Sequence, residues 1–290
     1  MKPETTPDTL FRNGFRFPTL SLGFDRAANR GADVQDSSES IKKTMKILIT
    51  GVASLLGRTL VEQLTDSHHL RLVDSETFET SAEFILGDIR DQQVSYHLCD
   101  GMDAVIHLCE LPDTDSARIE LEQEAIDLAT RGTYNLFKAA SAAEVQNVIF
   151  ISSMKLMLKY PEDFQVTENW KPRPDPNDAY QMAKYLGETT ALQFARFAGM
   201  EVTCLRVGNV VIEEECIGQD FDPLWIDARD VAKVVKECLE HSQKWKGNYR
   251  WRIRHLVACN PRSRFYICVA DDTQEFFVPD YNFMDWKETE

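Results

Sequence analysis

The sequence predicts an α/β fold built on a doubly wound parallel sheet, and three observations carry that reading. From Lys46 onward, short β-rich runs alternate with helical patterns, as parallel strands joined by crossover helices require. The candidate interior strands are apolar throughout rather than at every second position, which suits a sheet covered by helices on both faces. Finally, 43% hydrophobic and 27% charged residues in a chain of 290 supply a full core and exclude disorder, collagen or a disulfide scaffold for the whole.

The elements follow in order. KILIT (Lys46–Thr50) is a strand, and Leu55 to Thr65 has helical spacing. LRLVD (Leu70–Asp74), EFILGD (Glu83–Asp88) and AVIHL (Ala104–Leu108) are further strands. A long helix then runs into Ala143, followed by the strand NVIFIS (Asn147–Ser152). A helix from Tyr180 to Ala198, a strand VTCLRV (Val202–Val207), a helix beginning near Asp227 and a strand over Arg250–Cys259 complete the pattern. Regularity fades after Val207, so residues 45–290 are expected to form a single domain with a small C-terminal substrate-side region after about residue 208. No internal repeat is visible. Residues 1–44 lack hydrophobic periodicity and carry seven basic against six acidic residues; they are expected to be a disordered tail, with neither the apolar core of a secretory signal nor an acid-poor transit composition.

Charge narrows the partners. Lys plus Arg number 32 and Asp plus Glu 47, a net charge of −15, and most of the imbalance lies beyond the tail. Such a body repels nucleic-acid and anionic-lipid phosphates. The seven cysteines are scattered without a C-x-x-C pair, which predicts a reduced, cytoplasmic setting. No apolar run approaches the roughly 20 residues that span a bilayer.

The first strand runs directly into Gly51-Val52-Ala53-Ser54-Leu55-Leu56-Gly57. A small turn opening a helix lets backbone N–H groups and the helix's positive end meet a dinucleotide pyrophosphate. Gly51 suits the tight turn, Gly57 suits close helix-to-strand contact, and Ser54 stands where a middle glycine would be ideal. Arg58, where a P-loop requires Lys, excludes that alternative. The second strand ends in Asp74, placed for a ribose 2′-OH and repulsive to a 2′-phosphate, so NAD is expected over NADP. Asp88 serves either the adenine amino group or the N-cap of a helix starting at Ile89.

Candidate chemistry lies further on. Strand Asn147–Ser152 ends in Ser152-Ser153, and Tyr180 and Lys184 stand i, i+4 on a later helix. A free tyrosine titrates near 10, so proton transfer near neutrality needs about 4 kcal/mol of help from a neighbouring charge, and an ammonium has the right sign. Ser153 is placed to hold a substrate oxygen against Tyr180 while a nicotinamide exchanges hydride.

Together TGVASLLG, Asp74, GDIRD (Gly87–Asp91), VIHL (Val105–Leu108), GTYNLFKAA (Gly132–Ala140), FISS, YQMAKYLGE, LRVGNV and ARDVA (Ala228–Ala232) resemble the extended short-chain dehydrogenase/reductase, or NAD-dependent epimerase/dehydratase, family over about Lys46 to Cys238. The resemblance implies a Rossmann fold and bound NAD. It implies a catalytic set carried here by Ser153, Tyr180 and Lys184, with Lys184 on the nicotinamide ribose. Cofactor contacts fall on Gly51, Ser54, Leu55, Leu56, Gly57, Asp74, Asp88, Ile89 and Leu108, and substrate contacts on Ser153, Met154, Lys155 and Asn209. Within the family the compact part after Asn209 looks most like the short uronate dehydrogenases. The expected function is hydride transfer between NAD and a secondary alcohol or lactol of a sugar-like molecule; the rivals are an NAD-retaining epimerase or dehydratase and a non-catalytic NAD sensor. A homodimer through the Tyr180 helix is implied by resemblance alone.

Departures mark the substrate side. Ala129 replaces an Asn of the family pattern, Met154-Lys155 replace Asn-His, and Glu213-Glu214-Glu215 stand where an Arg would hold a substrate carboxylate, leaving Lys155 as a replacement cation. No zinc motif or nucleophile elbow is present, and His68-His69 suggest a solvated turn. Cys109 is expected to be a buried small residue, Arg206 a structural ion pair, and the aromatics Trp225, Trp245, Trp251, Phe276, Phe277, Tyr281, Phe283 and Trp286 core closure.

Overall fold

A computed structural model describes residues 44–112, 118–240, 250–260, 263–265 and 278–283. The expected tail lies outside them except for Thr44, as do Trp245, Phe276, Phe277 and Trp286. Strands β1 (Lys46–Thr50), β2 (His69–Asp74), β3 (Glu83–Leu86), β4 (Ala104–His107), β5 (Asn147–Ser153), β6 (Glu201–Val207) and β9 (Trp251–Leu256) form one sheet in the order β3-β2-β1-β4-β5-β6-β9. Every pairing in it is parallel. Two short strands, β7 (Asn209–Val211) and β8 (Trp225–Asp227), pair separately.

Helices cover both faces because alternate residues of each strand bury on opposite sides. On one face, α1 (Leu55–Leu64) and α6 (Ala228–Glu240) set Leu60, Leu64, Val231 and Val235 against Ile47, Ile49, Ile106 and Leu205. On the other, α2 (Gln92–Cys99), α3 (Ile119–Asp127), α4 (Thr133–Ala142) and α5 (Ala179–Phe197) supply Leu98, Ala125, Phe137 and Ala183 to Leu48, Val105, Val148 and Phe150. Strand order reverses between β1 and β4, and in open α/β sheets that reversal opens a ligand crevice beyond the strands' carboxyl ends. The register aligns Thr50 with both Val73 and His107, so the strand ends around the reversal form one rim.

The long helix expected to run into Ala143 is interrupted by a π turn, Leu128–Gly132. Close packing explains the break. A Cβ on Gly132 would come within 3.0 Å of Ile89 Cγ1, and one on Gly187 of α5 within 3.1 Å of Phe150 and 3.4 Å of the Ala129 carbonyl. Wider turns of this kind recur at functional sites, and this one brings Leu128 to the crevice. Asp91 rather than Asp88 caps α2, accepting from the Gln93 amide, so the N-cap alternative for Asp88 is overturned. The His pair also divides: His68 is buried, its Nδ1 accepting from the Met45 amide, while His69 is exposed at the start of β2.

Among the described residues no helix is long and apolar enough to cross a membrane. Trp225 and Phe283 are buried with ring centroids 5.4 Å apart, and Tyr281 lies under the Arg229 guanidinium, 3.8 Å from its ring centroid. Arg71 reaches three carbonyls at the end of α2, those of His97, Leu98 and Asp100, where a cation complements the helix's negative end.

Behind the carboxyl end of β5 lies a buried ion pair. Arg206 on β6 meets Glu188 on α5 at 2.6 Å, and Glu188 also accepts from the Ser152 hydroxyl at 2.9 Å. Arg206 further donates to His255 Nε2 at 3.3 Å; burial first, then the guanidinium, push His255 down to about 3, so it remains a neutral acceptor. Breaking one side strands a buried charge. Arg206→Met is therefore expected to cost about 3–5 kcal/mol in urea unfolding, and Arg206→Met with Glu188→Leu to recover most of it; a loss below about 1 kcal/mol in the single variant would show that the pair constrains nothing.

Candidate active site

A crevice of about 530 Å³ lies at the strand-order reversal, lined by Gly51, Ala53 and Ser54 of the turn, Asp74, Asp88 and Ile89 beyond β2 and β3, and Cys109 to Pro112 beyond β4. Gly51 takes φ +80°, a left-handed conformation that favours glycine. A Cβ at Gly57 would sit 2.5 Å from the Val52 Cα, so Gly57 makes the close helix-to-strand approach expected of it. Ser54 caps α1: its hydroxyl accepts from the Gly57 amide at 3.2 Å and donates to the Gly51 carbonyl at 2.8 Å. The non-glycine residue in the middle of the turn is thus explained by a helix cap.

Asp74 ends β2 with its carboxylate on the turn. Oδ2 accepts from the Ala53 amide at 2.8 Å and Oδ1 from the Glu76 amide at 3.1 Å, and the residue lines the crevice. Each oxygen keeps a further lone pair for a ribose hydroxyl. Asp88 also lines the crevice but is joined to Arg90, whose guanidinium lies 2.6 Å from it. Its carboxyl stays below the usual range, since hydrogen bonds and charge from Arg90 overcome desolvation.

Of the expected cofactor residues, Leu55, Leu56, Gly57, Leu108 and Lys184 are not among those that line the crevice. Leu56 is buried in the core against α6 and β1, and Leu55 is 40% exposed outside the crevice lining. Leu108 is buried in the same core, so the chain beyond β4 meets the crevice through Cys109, Glu110 and Leu111 instead. The placement of these side chains leaves the backbone to serve, since the amides of Leu55 and Leu56 belong to the unpaired N–H groups that open α1. The sequence reasoning missed Glu110 and Arg90, and a carboxylate three residues past β4 and a guanidinium four residues past β3 were the available signals.

Within the crevice lining, His107 bridges Thr50 at 2.7 Å and Thr133 at 3.1 Å. The Cys109 amide donates to its Nδ1 at 3.4 Å, so Nδ1 accepts and Nε2 carries the proton toward Thr133. Burial, aided by Lys184, pushes His107 down to about 3. It is a neutral spacer with no proton to exchange near neutrality.

The Tyr180–Lys184 pair occupies the opening of α5, capped by Asp178, which accepts from the Gln181 amide at 2.9 Å. Spacing places Tyr180, Lys184 and Glu188 in one row. The buried Lys184 ammonium donates to the carbonyls of Cys109 at 2.8 Å, Leu108 at 3.3 Å and Ile151 at 3.3 Å. Burial opposes its charge, yet Tyr180, Cys109 and Glu110 outweigh that and hold the ammonium above its ordinary range. All three of its protons are thereby engaged, so a ribose contact requires exchange of a carbonyl partner, with Leu108 and Ile151 the longer bonds.

Ser152 and Ser153 separate by strand alternation. Ser152 turns inward to Glu188, whereas Ser153 Oγ accepts from the Lys155 amide at 3.1 Å at the start of a 3₁₀ turn, Met154–Met157. Lys184 and Lys155 flank Tyr180, with ammonium nitrogens 5.7 and 4.9 Å from its ring centroid. Met154, expected on the substrate side, is fully buried with Leu156, Met157, Leu224 and Val257. Asn209 donates from its side chain to Asp222, which fixes the start of β7. Of the Glu triplet, Glu213 accepts from the Phe283 amide and Glu214 pairs with Arg229 at 2.6 Å. Among the described residues no group of three or more His, Cys, Asp or Glu side chains is placed to hold a metal ion.

Comparison with known proteins agrees with this geometry. The pattern of the NAD dependent epimerase/dehydratase family matches residues 47–222. L-arabinose 1-dehydrogenase (NAD(P)(+)) of Haloferax volcanii is 28% identical over 68% of this chain and 83% of its own length. Uronate dehydrogenase of Pseudomonas putida is 29% identical over 67% of this chain and 71% of its own. Among solved structures, glucuronic acid dehydrogenase from Chromohalobacter salexigens has a TM-score of 0.65 at 21% identity, covering 83% of this chain and 86% of that one. A short-chain dehydrogenase/reductase superfamily protein from Agrobacterium tumefaciens, solved with bound NAD, has 0.63 at 23%, covering 73% and 77%. The structural likenesses speak for the Rossmann-like fold, and the sequence match, which spans more than half of the chain, places this protein in the NAD dependent epimerase/dehydratase family.

Proposed function

We propose that this chain is an NAD-dependent oxidoreductase of the short-chain dehydrogenase/reductase type that oxidises a secondary alcohol or lactol of a small sugar-like substrate, or runs the reverse. The supporting observation is the row of Tyr180 and Lys184 on α5, its ammonium anchored to the ends of β4 and β5 beside the crevice. Named relatives that act on arabinose and uronates favour a sugar-like substrate.

The crevice fits NAD on this chain's own features. A left-handed Gly51 and the capped start of α1 leave backbone N–H groups for a pyrophosphate, and Asp74 faces the same space. Bound NAD supplies the hydride acceptor. Ser153 orients the substrate oxygen, Tyr180 takes or returns its proton, and Lys184 holds positive charge beside the phenol so that the proton is released more readily. Tyr180→Phe is expected to lower turnover by about 10²–10⁴-fold while leaving NAD affinity, measured by fluorescence titration, within about twofold. Retained turnover would remove Tyr180 from the chemistry. Accumulation of NADH in step with oxidised product separates this reading from an epimerase or dehydratase.

Asp74 sets the preference for NAD by repelling a 2′-phosphate. Asp74→Ala is expected to narrow the ratio of kcat/KM for NAD over NADP by about tenfold or more, the factor that 1.4 kcal/mol represents; an unchanged ratio would sink that role.

Glu110 opposes the pyrophosphate. Its Cβ lies 3.1 Å from where a Cβ on Gly51 would stand. Desolvation raises its carboxyl above the usual range, Lys184 pulling it down and Asp74 pushing it up. The neutral acid persists to higher pH than a free glutamate, and the carboxylate that forms as pH rises repels the phosphates. NAD affinity is therefore expected to weaken as pH rises through the Glu110 titration. In Glu110→Gln, affinity at pH 8 should tighten by about tenfold, again equivalent to 1.4 kcal/mol, and the pH slope should flatten. Calorimetric titration at several pH values checks both, and a Gln variant with the wild-type slope would discard the repulsion.

A further inference from the structure

We propose that Lys155 recognises an anionic substituent of the substrate beside Tyr180, a proposal that rests on the oxidoreductase reading above. Lys155 belongs to the turn that leaves Ser153: its amide donates to Ser153 Oγ at 3.1 Å, which fixes its backbone beside the group assigned to the substrate oxygen. Its ammonium stacks 4.9 Å from the Tyr180 ring centroid. Its neighbours in the turn, Met154, Leu156 and Met157, are fully buried and apolar, so the half-buried lysine is the polar element that this turn turns toward the phenol.

Nearby cations are already engaged. Lys159 pairs with Asp175 at 2.7 Å, Arg173 stacks on Tyr160 at 4.2 Å, Arg264 donates to the carbonyls of Tyr160 and Leu158, and Arg206 is locked to Glu188. Among the described residues no ion pair engages Lys155, and its contact is an aromatic face. A compact ammonium on a flexible stem reaches carboxylate and phosphate alike as a point charge, so both anions fit.

Global charge makes such a cation useful. A chain of net charge −15 disfavours approach of a negative substrate, and a local positive group reverses the potential where it matters. Within the Glu triplet, Glu214 is paired with Arg229 and Glu213 accepts from the Phe283 amide. Lysine beside the phenol thus performs the discrimination expected of an arginine after the LRVGN strand.

Matched sugars test the proposal. D-glucose, D-glucuronate and glucose 6-phosphate, with the three corresponding galactose compounds, differ only in the substituent at the end of the chain. With NAD, Lys155→Met and Lys155→Gln are each expected to raise KM for the charged sugars by about tenfold or more and for the neutral sugars by less than about twofold, any change in kcat falling equally on both classes. Lys155→Arg should restore most of the loss, and whichever of uronate or phosphate suffers more identifies the anion. Equal rises in KM on neutral and charged sugars, or no change in either variant, would overturn the assignment. Should wild type oxidise none of the six, the oxidoreductase reading falls by itself, and calorimetric binding of the same sugars to the NAD-loaded protein decides Lys155. Binding of a charged sugar that is lost in both Met and Gln variants upholds it. Equal binding, or none by wild type, overturns it.

Discussion

A charge taken out of water organises this molecule. Lys184 is buried, and an ammonium in that position is tolerated only when its protons are met and negative charge stands close. Three carbonyls answer that requirement, from Leu108 and Cys109 past the end of β4 and from Ile151 within β5. The lysine therefore ties α5 to the two central strands at the point where the crevice opens. Moving α5 by even one residue would withdraw the ammonium from its acceptors and Tyr180 from the strand ends together. The second buried pair, Glu188 with Arg206, repeats the arrangement one turn further along the same row and fixes α5 to β6. The site rests on a helix held at both places by electrostatics within an otherwise apolar interface.

Electrostatics also divides the crevice. Toward the nucleotide, Asp74 and Glu110 place negative charge beside the turn, offset by the N-terminus of α1 and by Lys184. Toward the substrate, Lys184 and Lys155 flank the phenol. Arg90, joined to Asp88, adds a cation to the crevice lining in a chain whose net charge is −15. Selectivity then follows from placement of a few charges over short distances, where screening by salt is weakest.

What could be read from the sequence was whatever repeats with a period. The central strands β1, β4 and β5 were legible as apolar runs, because two covered faces demand it, and the i, i+4 spacing of Tyr180 and Lys184 was legible because a helix imposes it. Gly57 was legible through its need for space. The misses turn on single positions or on neighbours distant in sequence. Leu108 and Cys109 are adjacent and apolar, yet the end of β4 sends one to the core and the other to the crevice. Asp88 and Asp91 are equally good caps on composition, and only the path of the chain after Gly87 selects Asp91. The π turn at Leu128–Gly132 depends on Ile89, Phe150 and Gly187, which no local pattern links. The pairing of β7 with β8 joins segments of three residues each, too short for periodicity to register.

Cys109 shows how these levels meet in one residue. It adopts φ +50°, a left-handed backbone that residues with a side chain rarely take and that persists only when its surroundings over-determine it. Its carbonyl holds Lys184 at 2.8 Å, its amide donates to His107, and its side chain is buried. Those three constraints turn the chain sharply as β4 ends. The same turn aims the carbonyl inward at the ammonium and carries Glu110 outward over Gly51. A larger or β-branched residue at this position would meet a steric cost in the left-handed region. A small side chain there lets the strand end hold the Lys184 ammonium with its backbone while its successor, Glu110, lines the crevice.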